Sequence, residues 1–385
     1  MKVSSWLRSH YATILPGLRI LFDYRPALVR PSGVGEAAHK LASALVPQLG
    51  PADVLTIFSS SWRDRLGPGR VAGAKVADAR VPVRILNFAW HRLGWPPVEW
   101  LAGPADVVHA QHPLLIPARR AARVVTIYDL YFLDHPERTR AEIRRDYAAL
   151  APSHAPRADA VIVASAHMRS LVASRLGVPR NRVWVCPLGA PDWSPRGDIV
   201  PSGPVLFMGT LEPRKNVGGL LDAYARLLAR RPDAPRLRLA GHVPEDGRAT
   251  LGRIDAAPFR GRVEHAGYVR GEDRARLYRE ASVLVLPSFD EGFGLPVLEA
   301  MTVGVPVVAS RRGALPELVG DAGLLVDPAD PEDLARGLDR LLGDPALQRR
   351  LAEAGRRRAA GYSWASTASR VLDVYRAAIE RRGAR

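Results

Sequence analysis

The feature that most restricts how this chain can fold is an alternation of short apolar strands with helical segments, which runs through it twice. Strand-like runs at 18–24 and 54–58 flank a helical pattern at 35–47 in the first half. A stretch rich in Pro, Gly and Asp at 191–204 interrupts the alternation, which begins again at Val205. Such alternation is typical of parallel sheets covered by helices on both faces. We therefore predict an α/β protein of two Rossmann-like, doubly wound domains facing a central cleft.

The interruption divides the predicted elements into two domains, 1–195 and 196–363. Strands are predicted at 18–24, 54–58, 83–86, 106–109, 124–127, 160–164 and 183–187 in the first domain, and at 205–208, 237–240, 262–265, 283–286 and 306–309 in the second. Helices are predicted at 35–47, 137–150, 167–176, 216–229, 247–257, 272–281, 296–303 and 331–342.

Composition limits the classes of protein that the chain can form. Hydrophobic residues make up 47% of it and charged residues 24%, as in soluble globular proteins. The single cysteine, Cys186, excludes a disulfide within the chain and a thiolate metal cluster. No run approaches the roughly 18–20 apolar residues of a membrane span. We expect a cytoplasmic protein.

Basic residues are concentrated in the first half of the chain. The net charge is +16, and residues 1–200 hold 26 Lys and Arg against 15 Asp and Glu, whereas residues 201–350 hold 21 of each. This imbalance predicts attraction to anionic lipid head groups at the inner face of a membrane, or to an acidic acceptor. The basic residues are dispersed and form no recognition pattern for nucleic acid, so we expect no nucleic-acid partner.

Two glutamates, Glu291 and Glu299, mark the segment that says most about function. A buried-strand pattern at 282–287 precedes Glu291, and Pro296 favours a helix start before Glu299. One carboxylate is therefore expected on the loop after the strand and the other in the first turn of the helix. The N–H groups and the dipole of that helix start would bind an anion between them. Carboxylates that accept sugar hydroxyls on either side of a phosphate indicate a nucleotide-sugar site.

A second segment, 209–216, supplies basic side chains at another strand-to-helix turn. Gly209 would let a ligand approach the backbone, and Asn216 is a suitable N-cap. Arg214 and Lys215 are adjacent cationic donors, which suit a diphosphate leaving group because it gains negative charge in the transition state. The spacing is not that of a P-loop, which needs Gly-Lys-Ser/Thr. A solvated basic turn is the alternative reading.

Glycines near the start of the first predicted helix form a third candidate. Gly33 and Gly35 precede Glu36, and a nest of backbone N–H groups around them would face the same diphosphate. A simple tight turn is the alternative reading. Read as GxGxxA with Asp53 downstream, the run is a weak dinucleotide fingerprint, and because it does not directly follow the strand an NAD site is not expected.

The sequence offers no obvious metal site. It contains no Asp-x-Asp, and its histidines form no ligand set. His109 and His112 are separated by two residues at a strand end, where a structural role is favoured for both. We therefore expect no metal and no cofactor, with the charge of the leaving group met by N–H groups, Arg214 and Lys215.

Taken together, these segments resemble the retaining glycosyltransferases of family GT4, which have the GT-B fold. The resemblance runs from about residue 19 to residue 375 and is most specific in the second half. It rests there on GTLEPRKN, AGYVRGEDRARLYREASVLVLPSFDEGFGLPVLEAMTVGVPVVAS and GALPELVGDAGLLVDP. In the first half, SGVGEAAHKLA, VVTIYDLYFLDHPE and RADAVIVAS match less tightly.

The resemblance implies a role for each candidate residue. The first domain would bind the acceptor and the second the nucleotide sugar, with a helix at 364–385 crossing back to the first domain. Arg214 and Lys215 would hold the donor diphosphate, while Glu291 would face the transferred sugar and Glu299 the ribose. Further donor contacts would come from Gly209, Gly33, Gly35, the backbone at Phe293, Gly294 and Leu295, and, near the base, Gly241, Tyr268 and Val269.

One position departs from the pattern of the family. Tyr128-Asp129 stands where many relatives have His-Asp, and that histidine lies near the reacting sugar. Tyrosine can donate a hydrogen bond but cannot hold positive charge. Either the Tyr128 hydroxyl meets the role, or activity or donor choice is altered. Asp129 becomes an acceptor-side candidate, with a strand-end turn former as an equal alternative, and His112 is kept as a third candidate on this side.

The resemblance implies a metal-independent, retaining hexosyltransferase of the EC 2.4 class. It would move a sugar from GDP-mannose or another UDP- or GDP-sugar to a glycan or lipid-linked acceptor in polysaccharide or glycolipid biosynthesis. Three alternatives stay open: a nucleotide-sugar epimerase that uses the same cleft, a non-catalytic nucleotide- or carbohydrate-binding protein, and a peripheral membrane scaffold.

Overall fold

Two sheets of parallel strands form the centre of the molecule. The computed structural model describes residues 17–28, 33–138 and 141–384. The first sheet comprises β1 Arg19–Asp23, β2 Val54–Ser59, β3 Lys75–Asp78, β4 Val107–Ala110, β5 Ala122–Thr126, β6 Ala160–Val163 and β7 Val183–Val185. The second comprises β8 Val205–Met208, β9 Leu237–Ala240, β10 Val263–His265, β11 Val283–Leu286, β12 Val307–Ser310 and β13 Leu324–Val326. Their orders are β3-β2-β1-β4-β5-β6-β7 and β10-β9-β8-β11-β12-β13.

Helices connect successive strands. They are α1 Arg25–Leu28, α2 Gly33–Leu45, α3 Val83–Phe88, α4 Glu99–Ala102, α5 Tyr131–Asp134, α6 Ala141–His154, α7 Ala166–Arg175, α8 Val217–Arg230, α9 Arg248–Gly252, α10 Gly271–Glu280, α11 Leu295–Val303, α12 Leu315–Val319, α13 Pro331–Gly343, α14 Pro345–Ala359 and α15 Trp364–Gly383. Among the described residues, no helix is both long enough and apolar enough to cross a membrane.

The central strands are short apolar runs because both faces of each sheet are covered. All residues of β8, β11 and β12 are buried, as expected for parallel strands with helices on either side. The α/β fold class predicted from the alternation is confirmed. In each sheet the order reverses direction beside the first strand, and ligands of doubly wound sheets bind at the carboxyl ends near such a point.

The neighbours of β8 determine which loops meet at that edge. Val205 of β8 pairs with Val283 of β11, and both strands run in the same direction. The loop after β8 contains Arg214 and Lys215, and the loop after β11 contains Glu291. Sheet pairing therefore places these two segments side by side.

The last helix packs against the first sheet although it follows the second in sequence. Ala368, Val371 and Tyr375 of α15 lie in one buried cluster with Phe22 and residues of the neighbouring strands. The Tyr375 hydroxyl lies 2.7 Å from His109 Nδ1, and Thr126 Oγ1 lies 2.7 Å from the other ring nitrogen. His109 is fully buried between these partners, which is a structural role.

The strand predicted at 83–86 is wrong, because this segment forms helix α3. Leu86 and Trp90 are the buried residues, and their spacing of four is helical, whereas Ile85 and Phe88 are exposed. A short apolar run predicts a buried strand only where its side chains face the core, and those of Ile85 and Phe88 do not.

Other differences concern ends and short elements. The helix predicted at 247–257 is α9 alone, which ends at Gly252 and continues as a 3₁₀ turn, because glycine is a poor helix former. Seven elements were not predicted at all: β3, β13, α1, α4, α5, α12 and α14. Strand β3 has no fully buried residue, so it carries little of the apolar pattern that identifies strands.

Candidate active site

Glu291 lies where the sequence predicted it relative to β11, but the prediction that Glu299 lies in the first turn of α11 is wrong, because α11 begins at Leu295 and its first turn contains no acidic residue. Glu291 lies on the loop after the strand, and Glu299 lies in the helix that follows. Each of the two glutamates is only 6% exposed. Buried carboxylates need partners, since an unpaired buried charge is strongly unfavourable. The partners of the two glutamates are different.

Glu291 is held by two cations and a hydroxyl. Lys215 Nζ donates to Glu291 Oε1 at 2.5 Å, and Ser288 Oγ donates to the same oxygen at 2.7 Å. Arg214 Nη1 lies 3.5 Å from Glu291 Oε2. Burial alone would raise the pKa of Glu291, but the charges of Lys215 and Arg214 outweigh burial and lower it. The carboxylate is therefore ionised at neutral pH.

Arg214 joins the two loops and reaches the first domain. Its side chain donates to Glu212 at 2.8 Å and to the Asp290 carbonyl at 3.0 Å, and its own carbonyl accepts from Phe289 N at 2.8 Å. The guanidinium lies over the ring of Tyr131, 5.3 Å from its centre. Because Tyr131 belongs to α5, Arg214 sits at the boundary between the domains.

Two glycines allow the loops beside Lys215 to approach each other. Gly209 has φ 152°, and a Cβ added to it would lie 3.8 Å from the Lys215 side chain. Gly241 has φ 150°, and its added Cβ would lie 1.8 Å from the Gly209 carbonyl oxygen. A side chain at 241 would therefore separate the two loops, and the predicted position of Gly241 close to the Gly209 segment is where the structure has it.

The N-terminus of α11 faces the same region without a side-chain cap. Its N-cap, Gly294, has φ 103°, and an added Cβ would lie 2.6 Å from Leu315. By contrast, the Asn216 side chain caps α8 by accepting from Gly219 N at 3.2 Å. An N-terminus that lacks a side-chain acceptor keeps its N–H groups and dipole available to an anion. Of these two neighbouring helices, α11 is therefore the better phosphate site.

The loop that carries Glu291 is clamped against the first domain. A Cβ added at Gly292 would lie 1.8 Å from the Tyr128 carbonyl oxygen and 3.6 Å from Asp129 Cβ. Ser165 Oγ donates to the Gly292 carbonyl at 2.9 Å. Tyr128 and Asp129 therefore pack against the residue next to Glu291, and their acceptor-side assignment stays a prediction.

The Tyr128 hydroxyl already has a hydrogen-bond partner within the first domain. It donates to Gln111 Oε1 at 2.9 Å, and burial raises the pKa of Tyr128 well above its ordinary value. The phenol is therefore neutral at every physiological pH. His112, the third acceptor-side candidate, lies apart from it, 3.1 Å from Arg25 Nη2 and 3.2 Å from Asp23 Oδ2.

Among the described residues one cation contacts Glu299, and that cation is shared. The Tyr278 hydroxyl donates to Glu299 Oε2 at 2.7 Å, and Arg274 Nη2 lies 2.9 Å from Oε1. Arg274 Nη1 also donates to Glu36 of α2, in the first domain, at 2.8 Å. Burial raises the pKa of Glu299 to about 7, against the lowering effects of Arg274 and Tyr278. This carboxyl group is therefore partly protonated near neutral pH.

A cavity of about 760 Å³ lies between the domains at the Glu299 end. Its wall includes Leu295, Glu299 and Arg274 from the second domain and Glu36 and Lys40 from the first, but not Glu291 or Lys215. The predicted site thus has two parts: an open cavity at Glu299, and the clamped cluster of Glu291, Lys215 and Arg214. The segment 291–299 connects them.

The remaining donor candidates are distributed around these two parts. Tyr268 is 50% exposed with Arg270 over its ring, and Val269 packs on the core of the second domain. The Phe293 ring is buried against Tyr362, so the backbone and not the side chain of Phe293 is the part available to a ligand.

The glycine candidates of the first domain need a correction. Gly33 begins α2 and Gly35 lies in its first turn, so the helix starts two residues before the predicted residue 35 and the two glycines are helical and not a loop nest. Pro31 and Ser32, which precede Gly33 and belong to the predicted nest, lie outside the described residues.

With the geometry established, comparison with known proteins decides the family. A model described as glycosyl transferases group 1 matches residues 202–358, and one described as glycosyl transferase 4-like domain matches residues 32–189. The O-antigen chain mannosyltransferase B of Escherichia coli is 30% identical over 385 residues, which cover 93% of this chain and 100% of that protein. The chain belongs to the GT4-type, group 1 glycosyltransferases.

Further relatives agree with this assignment. The MMP alpha-(1->4)-mannosyltransferase of Mycolicibacterium hassiacum is 37% identical over 232 residues, which cover 57% of this glycosyltransferase and 54% of that protein. Among solved structures, sucrose-phosphate synthase from Thermosynechococcus elongatus covers 93% of the chain with a TM-score of 0.73 at 22% identity. WaaG, a glycosyltransferase involved in lipopolysaccharide biosynthesis, covers 93% with a TM-score of 0.68 at 18% identity. These likenesses confirm the predicted GT-B fold.

Sequence reasoning missed several residues that position the two glutamates of this glycosyltransferase. Arg274 and Tyr278 are four residues apart on α10, a spacing that puts both on one face and could have indicated a shared partner. Ser288 lies three residues before Glu291 at the end of the strand. Glu36 gave no signal, because its contact with Arg274 joins two domains.

Among the residues described, no group of three or more His, Cys, Asp or Glu is arranged to hold a metal ion. Metal independence remains a proposal about the reaction.

Proposed function

We propose that this glycosyltransferase moves a hexose from a nucleotide-diphosphate sugar to a glycan or lipid-linked acceptor, with retention at the anomeric carbon and without a metal. The observation that carries the proposal is the ionised carboxylate of Glu291, which Lys215 and Arg214 fix beside the uncapped N-terminus of α11. Fixed charges that surround the place where a phosphate leaves are the means by which enzymes stabilise such a transition state.

The donor proposed is GDP-mannose or another UDP- or GDP-sugar. Two relatives are mannosyltransferases by name, and a solved neighbour from Anabaena, HepE, holds UDP and glucose in its structure. The cavity at Glu299 is large enough for a nucleoside. Glu299 would accept from the ribose hydroxyls there, with Tyr268, Val269 and Gly241 towards the base.

In the proposed reaction the acceptor oxygen attacks the anomeric carbon as the bond from that carbon to the phosphate oxygen breaks. The acceptor proton passes to the leaving phosphate on the same face, so that no separate general base is required. Lys215 and the N–H groups of Phe293, Gly294 and Leu295 would receive the growing phosphate charge. Glu291 would orient the sugar and stabilise positive character at the anomeric centre.

The acceptor is proposed to approach from the side of the first domain. Tyr128 and Asp129 pack against Gly292, the neighbour of Glu291, and a polysaccharide or glycolipid intermediate would present its hydroxyls to polar side chains there. The enzyme would then work in the cytoplasm at the inner face of a membrane. His112 would act on this side through the Asp23 and Arg25 cluster.

The deciding experiment combines donor selection with product analysis. GDP-, UDP-, ADP- and dTDP-sugars are screened for thermal stabilisation, because a ligand that binds the native state raises its melting temperature by mass action. The donor that stabilises is incubated with lipid-linked and free glycans, with and without a chelator. Nuclear magnetic resonance of the product should show the anomeric configuration of the donor, in equal yield with chelator present.

Four results would overturn the proposal in different ways. A product with inverted anomeric configuration would contradict retention, and a rate that falls when the chelator is added would contradict metal independence. Conversion of the donor sugar without any acceptor would indicate an epimerase instead. Donor binding with no turnover on any acceptor would indicate a binding protein.

A further inference from the structure

A patch of exposed apolar side chains covers part of the first domain outside the candidate active site. It is formed by Ile85, Phe88, Leu93, Trp95 and Trp100, and each of these side chains exposes more than half of its surface. We refer to these five residues as the apolar patch. The wall of the cavity between the domains includes none of them. Exposed apolar residues that are concentrated in one region usually mark a binding surface.

The patch is built on structured backbone. Helix α3 continues into a π-helical turn, Ala89–Leu93, and Leu86 and Trp90 face inward from them. The Trp90 indole donates to the Pro96 carbonyl at 2.9 Å, which ties the loop carrying Trp95 back to this turn. Trp95 and Trp100 meet edge to face, 5.8 Å apart. The apolar side chains are thus held at the surface by the packing of their neighbours.

Basic side chains surround the patch. Arg84 and Arg92 are exposed on the same helix and turn as Ile85 and Phe88. Glu99 is the acidic residue between 83 and 103, and its carboxylate accepts from the backbone N–H groups of the exposed residues Arg119 and Arg120, at 2.8 and 3.3 Å. Arg92 also lies 3.4 Å from the Asp146 carboxylate, to which Arg145 binds as well, so basic side chains outnumber acidic ones around the patch.

We propose that the apolar patch docks on the surface of an anionic lipid bilayer. Trp and Phe side chains enter the boundary between head groups and acyl chains, while arginines beside them bind lipid phosphates. A second copy of the chain fits less well, because a two-fold interface would bring each copy's arginines against those of the other. The occupant must be apolar at its centre and negatively charged around it.

The inner side of the same helix touches the acceptor side of the cleft. Asn87 Oδ1 accepts from Arg25 Nη1 at 2.7 Å, and the His91 ring meets His112 edge to face at 5.7 Å. Docking of the outer face would therefore bring the cleft next to lipid head groups. The consequence that a lipid-linked acceptor is drawn directly from the bilayer rests on the proposed function, but the docking itself does not.

The experiment is co-sedimentation of the whole chain with vesicles. Vesicles of phosphatidylcholine and phosphatidylglycerol in equal parts are compared with vesicles of phosphatidylcholine alone. The wild type should sediment with the anionic vesicles, and less so at high salt. The triple variant Phe88→Ser, Trp95→Ser, Trp100→Ser should bind roughly tenfold more weakly or worse, since each residue contributes buried apolar area. The variant Arg84→Glu, Arg92→Glu should lose binding to the anionic vesicles specifically.

A matched control distinguishes binding by this surface from nonspecific binding by any exposed aromatic residue. Phe289→Ser removes an exposed aromatic residue of the second domain and should bind vesicles as the wild type does. Circular dichroism and melting temperature confirm that each variant folds, which is expected because the altered side chains are exposed.

The proposal is overturned if the wild type stays in the supernatant or if the triple variant sediments as well as the wild type. A concentration-dependent dimer that the triple variant abolishes, without vesicle binding, would assign the patch to self-association and also overturn it. Transfer to a water-soluble acceptor is measured in parallel. Its absence in the wild type would contradict the proposed function while leaving the vesicle result intact.

Discussion

Glu291 and Glu299, at the two ends of the segment 291–299, are equally buried, but the pKa values of their carboxyl groups are shifted in opposite directions. Two cations face Glu291, and its pKa is lowered. Within the described residues Glu299 has one cation, Arg274, which it shares with Glu36, and its pKa is raised to about 7. Depth of burial is the same at both ends, so the number of cations for each carboxylate decides the charge. One end is a permanent anion and the other titrates near neutral pH.

The largest effect is expected from Lys215→Ala. It removes the closest cation from Glu291 and a donor to the leaving phosphate, so kcat/KM should fall roughly a hundredfold or more. Steady-state kinetics with the donor found in the screen provide the measurement.

Lys75→Ala is the matched control, since Lys75 is exposed on β3 at the edge of the first sheet. It should keep full activity. Near-normal turnover by Lys215→Ala would mean that the clamped cluster is a structural ion pair and not part of the reaction centre.

A smaller loss is expected from Arg274→Gln. This change leaves Glu299 and Glu36 without their common cation and breaks a link between the domains, so donor affinity should fall about tenfold. Isothermal titration with the donor nucleotide measures this directly.

Arg276→Gln on the same helix is its control, because Arg276 pairs only at the surface with Asp273 and Glu280 within the described residues. Unchanged affinity in Arg274→Gln would show that the donor does not use the Glu299 end.

The raised pKa of Glu299 predicts the sign of a pH effect on stability. Its folded pKa, about 7, lies above the ordinary value of 4.5, so the folded state binds more protons between these values and loses stability as pH rises through them. In Glu299→Gln this loss is absent. Stability of the variant relative to the wild type should therefore increase by about 2 kcal/mol from roughly pH 5 to pH 8.

Denaturant unfolding across this pH range checks the prediction. Glu272→Gln, an exposed glutamate on α10, should follow the wild type at every pH. A constant difference between Glu299→Gln and the wild type would show that Glu299 is ionised throughout, as Glu291 is.

The smallest effect is expected from Tyr128→Phe. The hydroxyl is neutral and bound to Gln111, so its removal should lower stability by about 1 kcal/mol and kcat/KM by less than tenfold. Tyr375→Phe removes a comparable buried hydrogen bond, to His109, far from Glu291, and should affect stability alone. A loss of activity in Tyr128→Phe as large as that in Lys215→Ala would give the phenol a direct part in transfer.

Sequence alone predicted the part of the site that lies within one domain. Both the Lys215 loop and the Glu291 loop were predicted at strand ends from local signals of glycine, proline and charge, but the strand order that makes these loops neighbours was not predicted. Pro296 predicts the helix that contains Glu299, although the helix starts at Leu295 and Glu299 lies beyond its first turn. These are short-range patterns, and a single chain displays them directly.

Contacts between the domains could not be predicted in the same way. The bond between Arg274 and Glu36 joins residues 238 positions apart, and nothing in either segment indicates the other. The helix at 83–88 was mistaken for a strand for a related reason. Its apolar residues Ile85 and Phe88 are exposed at the surface and do not pack in a core. The usual inference from an apolar pattern to burial therefore fails there.

The return of α15 to the first sheet has a consequence for biosynthesis. Because Val371 and Tyr375 complete a core that begins with Phe22, the amino-terminal half cannot finish folding on the ribosome until residues 364–383 have been made. The core of the second domain, in which all residues except Ala37, Ala164 and Leu188 lie within 205–359, is made earlier. A fragment that ends before 364 should consequently aggregate through its amino-terminal half, the part of the polypeptide synthesised first.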